Sequence, residues 1–293
     1  MNQAVAEKMG SQSSRSMAQT PHGSSTDLRS WLRAVEQMGE IRTVEGTDWN
    51  LELGAIAELN TRLKPTPALM FDKIKDYPAG YRVLTASTAG RRRLLLTLRM
   101  PTDLDDCAFA EALVGKPNQW EQESSRFAPT FVTNGPILEN VIDSNINLES
   151  FPAPIWHVDD GGRFIGTGSA VITADTDSDW INIGAYRMMT LGGPEASVAI
   201  TMGKHGRMHY EKWWKRNGRC PILVSLGHDP LFLILAGLEV PTGIGEYNYG
   251  GAIIGAPIEV IREELTGLPM PAYSEIVLAG WDKNLYVWDY DFP

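Results

Sequence analysis

The stretch "DWINIGAYRMMTLGG", residues 179–193, decides the fold. Most of it is apolar and typical of a strand, yet it carries an amide at Asn182 and a guanidinium at Arg187. Burying a neutral polar group without a partner costs about 2–7 kcal/mol, and burying a charge costs more. The two side chains therefore either lie in water at a sheet edge or point at something charged.

The spacing of these two residues is unusual for a strand that serves one ligand. They are five positions apart, so a regular strand would place Asn182 and Arg187 on opposite faces. For both to face one ligand, the chain must bulge or turn at "GAY", where Gly184 gives the backbone the necessary freedom. We predict such a break. The alternative is an edge strand with both side chains in water.

Strand signals crowd together from residue 129 onward. The segments "FIGTGSAVITAD" and "WINIGAYRMMTLG" are each typical of a strand, and the turn-rich "TDSD" between them predicts a hairpin. Glycine is frequent here, as in sharply bent barrel strands. The pattern favours a barrel or a sandwich over residues 126–293 rather than a doubly wound sheet.

The preceding region mixes helices and strands. "TDLRSWLRAVEQMGE" has apolar residues at helical spacing with Thr26 as the expected cap, and "LELGAIAELNTRL" predicts a second helix. "EIRTVEG", "ALMFDKI" and "YRVLTAS" are typical of strands. We predict a small α+β domain over residues 26–125, and an α+β fold class for the protein. Residues 1–25 are polar and rich in Ser and Gln, which predicts a disordered tail.

Composition excludes several classes of function. The chain of 293 residues has a net charge of −10, which argues against nucleic-acid binding because that needs a basic face. The one dense basic patch, "GRRRLLLTLRM" at 90–100, is interpreted as a solvated loop leading into a strand. The longest apolar run, "PLFLILAGL" at 230–238, is too short to span a bilayer.

The cysteines and the N-terminus indicate a cytoplasmic protein. Cys107 and Cys220 lie far apart and match no zinc spacing, so we expect free thiols. The N-terminus has no apolar segment of the kind that a secretory signal needs. A transit peptide is a weak alternative, because Glu7 interrupts the stretch and arginine is sparse.

Any functional site must be dispersed along the chain, because no dinucleotide, phosphate-loop, nucleophile-elbow or zinc-protease motif is present. Asn182, His205 and Glu246 each lie beside glycine-rich, turn-like sequence, and their ligand types suit Mn²⁺ or Mg²⁺ better than structural zinc. Such a site carries little charge and could bridge a phosphate, helped by Lys204. On spacing alone, solvated or capping roles remain open. His209 is interpreted as a packing residue.

Five runs, in order and with matching spacing, resemble the UbiD family of decarboxylases, which use prenylated FMN. The N-terminal "DLRSWLRAVEQMGEIRTVE" resembles the opening of the same family. The resemblance implies a flavin-binding split β-barrel domain over residues 126–293. The five runs are "NIGAYRM", "MGKHGRMHYEKWW", "PILVSLGHDP", "GIGEYNYGGAIIGAPIEV" and "PAYSEIVLAG".

The resemblance also assigns roles to residues. It implies that Asn182, His205 and Glu246 bind Mn²⁺ (or Mg²⁺), which clamps the flavin phosphate with a K⁺ nearby. It implies that Arg187 is catalytic, lies by the reactive face of the flavin and pairs with the substrate carboxylate. The cofactor-binding residues that it implies are Asn182, Gly184, Ala185, Tyr186, Arg187, Lys204, His205 and Glu246.

The sequence departs from the family near residue 280. The family continues after its "SEIVLEG" strand with a Pro-Glu-Gly-Pro-Phe-Gly-Glu type motif, whose second acid donates a proton, and with a further domain. Here "SEIVLAG" is followed by "WDKNLYVWDYDFP". The C-terminal part of the family is therefore expected to be missing, through a fragment, a frameshift or a partner-dependent half.

The leading hypothesis is a non-oxidative decarboxylase of an aromatic or α,β-unsaturated carboxylic acid. A catalytically silent flavin-binding subunit that needs a partner chain is the alternative, and a flavin reductase-like split barrel is a third. The expected partners are the small-molecule acid, a prenyl-flavin synthase that supplies the cofactor, and a second copy or a partner subunit.

Overall fold

The computed structural model describes residues 27–282. Its helices are α1 (Leu28–Gln37), α2 (Glu52–Thr61), α3 (Arg91–Thr97), α4 (Asp106–Leu113), α5 (Lys116–Glu123), α6 (His205–Asn217), α7 (Leu231–Gly237) and α8 (Glu246–Ile254). Its strands are β1 (Ile41–Glu45), β2 (Ala68–Asp72), β3 (Val83–Thr85), β4 (Thr130–Phe131), β5 (Phe164–Gly166), β6 (Ala170–Ala174), β7 (Ile181–Gly184), β8 (Arg187–Gly192), β9 (Glu195–Ala199), β10 (Cys220–Leu226), β11 (Glu259–Arg262), β12 (Pro269–Pro271) and β13 (Ile276–Asp282).

The N-terminal part is a small sheet in the order β1-β2-β3, with β1 parallel and β3 antiparallel to β2. Successive side chains of β2 point to opposite faces. Met70 packs in one cluster with Trp31 of α1, whereas Leu69 and Phe71 pack in another with Leu53 of α2. The predicted helices and strands of this region are confirmed, but α1 is capped by Asp27, whose carboxylate accepts from the Ser30 N–H at 2.5 Å. The expected cap, Thr26, lies outside the described residues.

The basic patch at 90–100 is not a solvated loop. It forms α3, and Arg93 within it is only 1% exposed. The Arg93 guanidinium pairs with Glu40 at 2.9 Å and donates to the carbonyls of Thr66 and Ser87. The prediction was wrong because a guanidinium can be buried when an acid and several carbonyls engage its donors together.

The C-terminal part is built around a sheet in the order β13-β10-β6-β7. The predicted hairpin is confirmed, with β6 and β7 antiparallel and Ala174 opposite Ile181. Alternate residues of β6 pack in different clusters. Ile172 is buried with Phe232 of α7 and Tyr247 of α8, while Val171 is buried with Tyr210 of α6. Because β7 pairs with β6 in the same sheet, it also lies between α6 and α8.

Two segments that look like single strands cross between sheets. "FIGTGSAVITAD" divides into β5 and β6, and "WINIGAYRMMTLG" divides into β7 and β8. In both, one strand belongs to the β13-β10-β6-β7 sheet and the other to the β5-β8-β9 sheet. The first segment was predicted wrongly as one strand, because its apolar pattern continues across the corner. The break predicted at "GAY" is confirmed, since β7 ends at Gly184 and β8 begins at Arg187.

The α+β fold class is confirmed by these elements. The split barrel stays a prediction, as does the domain boundary at residues 125 and 126. The tail predicted at residues 1–25 and the aromatic stretch from residue 283 lie outside the described residues. No helix within residues 27–282 has both the length and the apolar character that crossing a membrane requires.

Candidate active site

Asn182 lies at the end of the β6–β7 hairpin and is 3% exposed. Its Nδ2 donates to Thr173 Oγ1 at 3.4 Å, across the hairpin register that sets these two residues opposite each other. The Tyr186 hydroxyl lies close to the same side chain. Within the described part of the chain no hydrogen bond engages Asn182 Oδ1, so the amide oxygen is available as a ligand.

Tyr186 fills the corner between β7 and β8. Its hydroxyl accepts from the Gly206 N–H at 3.2 Å, which links the strand break to the first turn of α6. A Cβ on Gly184 would lie 2.3 Å from the ring's Cζ, and a Cβ on Gly206 would lie 2.7 Å from its Cε2. Both positions therefore require glycine because the ring packs against their backbone. Burial raises the pKa of the Tyr186 hydroxyl.

Glu246 begins α8 and is 1% exposed. The turn-like sequence predicted beside it ends at Gly245, and the helix that follows, whose apolar residues pack on the sheet, was not predicted. Glu246 Oε2 accepts from the Ile183 N–H of β7 at 2.9 Å. Burial raises the pKa of its carboxyl from 4.5 to about 8. No Lys, Arg or His of residues 27–282 forms an ion pair with it, so a proton or a bound cation must balance its charge.

His205 is the first residue of α6 and follows a turn at residues 202–203, as the turn-like sequence beside it predicted. His205 Nε2 lies 3.3 Å from Thr242 Oγ1, and the ring packs edge-to-face on Trp180 at 4.8 Å between centroids. Burial lowers the pKa of the imidazole, so its neutral, metal-binding form is favoured.

His209, one turn further along α6, is packed in the interior as the sequence predicted, but its contact with Thr173 was missed. The ring is completely buried, and its Nδ1 lies 3.1 Å from Thr173 Oγ1, the hydroxyl that also accepts from Asn182. It packs edge-to-face on Trp180 at 4.5 Å, on the same indole as His205. Burial lowers the pKa of His209 to about 4, so the ring is neutral at neutral pH. The spacing of two histidines at i and i+4 was the available signal.

Arg187 and Lys204 are both exposed. Lys204 is exposed and pairs with Glu239 at 2.6 Å. Arg187 is exposed at the start of β8, and no ion pair within the described residues engages it. It lines a cavity of about 310 Å³. The other lining residues are Trp156, His157, Asp160, Phe164 and Thr167.

The structure thus brings Asn182, Tyr186, His205 and Glu246 to adjoining ends of β7, α6 and α8. Residues 27–282 contain no cluster of three or more His, Cys, Asp or Glu side chains placed to hold a metal. A site here would take its third ligand from the amide of Asn182. An amide oxygen, a neutral imidazole and a buried carboxyl without a counter-charge fit a hard divalent cation. Helix N-termini at His205 and Glu246 fit a nearby phosphate.

Two family profiles match the chain. The UbiD profile, described as the 3-octaprenyl-4-hydroxybenzoate carboxy-lyase Rift-related domain, matches residues 130–284. The N-terminal domain profile of the same carboxy-lyase matches residues 32–113. The chain belongs to the UbiD family.

Similar UbiD proteins are longer than this chain. A pyrrole-2-carboxylic acid decarboxylase of Pseudomonas aeruginosa is 32% identical over 267 residues, which is 88% of this chain and 52% of that protein. A phenolic acid decarboxylase of Sedimentibacter hydroxybenzoicus is 29% identical over 87% of this chain and 54% of that protein. The chain therefore spans about half the length of the curated relatives that it matches.

Solved UbiD structures share the fold. The closed form of vanillic acid decarboxylase from Sedimentibacter hydroxybenzoicus has a TM-score of 0.80 and 27% identity, over 88% of this chain and 55% of that one. A dimeric form of HmfF from Pelotomaculum thermopropionicum, in complex with prFMN, has a TM-score of 0.75 at 22% identity, over 88% of this chain and 57% of that one. At that identity the HmfF match supports the fold alone.

Proposed function

We propose that this chain acts as a UbiD-type decarboxylase, which removes CO₂ without oxidation from an aromatic or α,β-unsaturated carboxylic acid. The observation that carries the proposal is the buried Glu246 carboxyl, held on the β7 backbone without a counter-charge beside Asn182 and the N-terminus of α6. Similar proteins support the substrate class, because they are named for pyrrole-2-carboxylic, phenolic and ferulic acids.

The proposed ligands of Mn²⁺ (or Mg²⁺) are Asn182 Oδ1, His205 and Glu246. The metal would hold the phosphate of prenylated FMN near the N-termini of α6 and α8, with K⁺ close by. Lys204 and the backbone of residues 184–186 would complete the cofactor site. When bound, prenylated FMN supplies the electron sink that decarboxylation requires.

Arg187 is the proposed catalytic residue of this chain. Its guanidinium has no acidic partner among the described residues and opens onto the cavity walled by Trp156 and Phe164. A planar guanidinium binds a carboxylate through two charge-assisted hydrogen bonds, which fixes the direction of the carboxylate. The aromatic walls would hold the ring of the acid and exclude water around the carbon that loses CO₂.

A second candidate is a flavin-binding subunit with little or no activity alone, which needs a partner chain for the acid that protonates the product. The matched region covers about half of each of these relatives. We also propose a homo-oligomer or a partner subunit, a prenyl-flavin synthase as cofactor supplier, and a cytoplasmic location.

The test is release of CO₂ from carboxyl-labelled pyrrole-2-carboxylic and ferulic acids by the full chain, co-expressed with a prenyl-flavin synthase and Mn²⁺. We expect Arg187→Met to reduce turnover at least tenfold, because the carboxylate loses its charged partner. The matched control is Arg62→Met, which removes an exposed ion pair with Glu58 and leaves turnover unchanged.

Other outcomes separate the two candidates. Bound flavin without CO₂ release would favour the subunit that needs a partner. Neither bound flavin nor CO₂ release would contradict both.

A further inference from the structure

Three buried side chains form a continuous hydrogen-bonded series behind the proposed metal site. Asn182 Nδ2 lies 3.4 Å from Thr173 Oγ1, and Thr173 Oγ1 lies 3.1 Å from His209 Nδ1. Thr173 and His209 are both 0% exposed. The series runs from β7 across the hairpin to β6 and then to α6, so it connects two neighbouring strands of one sheet with the helix packed on them.

The protons of the series can be counted. An amide nitrogen only donates, so the Thr173 hydroxyl accepts from Asn182. A hydroxyl has one proton, which leaves it to donate to His209 Nδ1. His209 Nδ1 must then carry a lone pair, and the neutral ring carries its proton on Nε2.

The opposite arrangement would turn the amide around. A proton on His209 Nδ1 would be donated to Thr173, and Thr173 would then donate to the Asn182 oxygen. The amide nitrogen would face away from Thr173, into the proposed metal site. An N–H group cannot bind a cation, so the direction of this series of hydrogen bonds affects whether Asn182 can serve as a ligand.

The structure has the first arrangement, with Asn182 Nδ2 directed at Thr173 Oγ1. His209 Nε2 is buried with no hydrogen-bond partner in the part of the chain that the structure describes. The imidazole packs edge-to-face with the Trp180 ring, at 4.5 Å and 85°.

We propose that Thr173 and His209 are positioning residues that hold Asn182 with its amide oxygen toward the metal. The inference rests on the proposed metal role of Asn182. Neither residue is among the proposed ligands of the metal or the flavin. Their contribution is to specify one of two amide orientations that are nearly equal in shape.

The first test compares Thr173→Val, which removes the hydroxyl at nearly equal volume, with Thr173→Ser, which keeps it. Free Mn²⁺ is measured by electron paramagnetic resonance during titration of the full chain with FMN present. We expect Thr173→Val to weaken Mn²⁺ binding at least tenfold and Thr173→Ser to stay within threefold of the parent chain. The matched control is Thr97→Val, since Thr97 is also buried and hydrogen bonded but lies in α3. Equal Mn²⁺ affinity in the parent chain and Thr173→Val would overturn the proposal.

The second test needs no metal. Nitrogen-15 chemical shifts distinguish the two tautomers of a neutral imidazole, and His209→Gln identifies the resonance among the five histidines of the chain. The proposal requires a proton on Nε2 in the parent chain and in Thr173→Ser. A proton on Nδ1 would overturn it. A parent chain that binds no Mn²⁺ but shows the Nε2 proton would contradict the proposed metal site while supporting the series of hydrogen bonds.

Discussion

At the scale of single residues, Glu246 says most about the site. A carboxyl that is almost completely buried needs several donors or a cation to stay ionised. Glu246 has the Ile183 N–H and its own N–H, and burial outweighs both, so its pKa rises to about 8. A bound divalent cation would reverse this balance and keep the carboxylate ionised at neutral pH.

This predicts how the metal-free protein responds to pH. The folded pKa of Glu246 lies above the ordinary value of 4.5, so its contribution to stability is fully present below that value and is lost as pH rises toward 8. With EDTA present, urea unfolding should show stability falling between pH 6.5 and 8. Glu246→Gln should remove that slope and stabilise the metal-free protein at pH 8.5 by on the order of 1–3 kcal/mol. A parent chain and a variant with the same pH dependence would contradict this.

At the scale of elements, the corner between β7 and β8 could be predicted because its cause is local. The spacing of Asn182 and Arg187 and the glycine between them are visible in the sequence. The first residues of α6 and α8, His205 and Glu246, could not be predicted in this way. Nearby glycines obscure the helical pattern, and packing against the sheet determines where each helix begins. The buried Arg93 was missed for a similar reason, because its partner Glu40 is distant in sequence.

The residues of the candidate site also divide into those that the sequence could predict and those that it could not. The ligand types of Asn182, His205 and Glu246 are readable from the sequence and were given their meaning by the resemblance to the family. The Thr173 and His209 contacts were not readable, because a strand and a helix far apart in sequence meet only in the fold. The walls of the Arg187 cavity were missed for the same reason.

The close contact between Gly184 and the Tyr186 ring, at the corner between β7 and β8, predicts how substitutions there change stability. Gly184→Ala should destabilise the fold by about 1–3 kcal/mol, since the new methyl would collide with the Tyr186 ring. The double variant with Tyr186→Ala should cost less than the sum of the two single variants, because the clash disappears with the ring. Gly280→Ala in β13 is the matched control, as nothing lies within 4 Å of its added Cβ. Thermal denaturation of the four variants measures this, and additive costs would refute the clash.

At the scale of the whole molecule, two kinds of contact join the N-terminal and C-terminal parts. The Arg163 guanidinium carbon lies 4.0 Å from the centroid of the Trp49 ring, and the guanidinium donates a hydrogen bond to the Tyr77 hydroxyl. Arg99 pairs with Asp229 at 2.6 Å, where the Asp229 side chain is 1% exposed. Breaking a buried pair leaves a charge without a partner, which costs far more than losing an exposed pair.

Two ion pairs of equal length allow the stability contribution of a buried pair to be compared with that of a more exposed pair. Arg99→Met should lower the free energy of unfolding by about 3–5 kcal/mol, because it leaves the buried Asp229 carboxylate without its charged partner. Arg29→Met removes a pair with Glu275 that is also 2.6 Å long but is exposed on the Arg29 side, and it should cost less than about 1 kcal/mol. Urea unfolding of both variants measures the difference. Equal costs would show that Arg99 does not stabilise the junction of the two parts.

The central claim is that Asn182, His205 and Glu246 hold a metal and a flavin phosphate together. Native mass spectrometry of the full chain, co-expressed with a prenyl-flavin synthase and Mn²⁺, tests it most directly. We predict a bound mass equal to prenylated FMN plus one Mn²⁺, lost in Asn182→Ala and Glu246→Gln and kept in the exposed control Glu58→Gln. A chain that carries no flavin, or that keeps both flavin and metal without Asn182 and Glu246, would contradict the account.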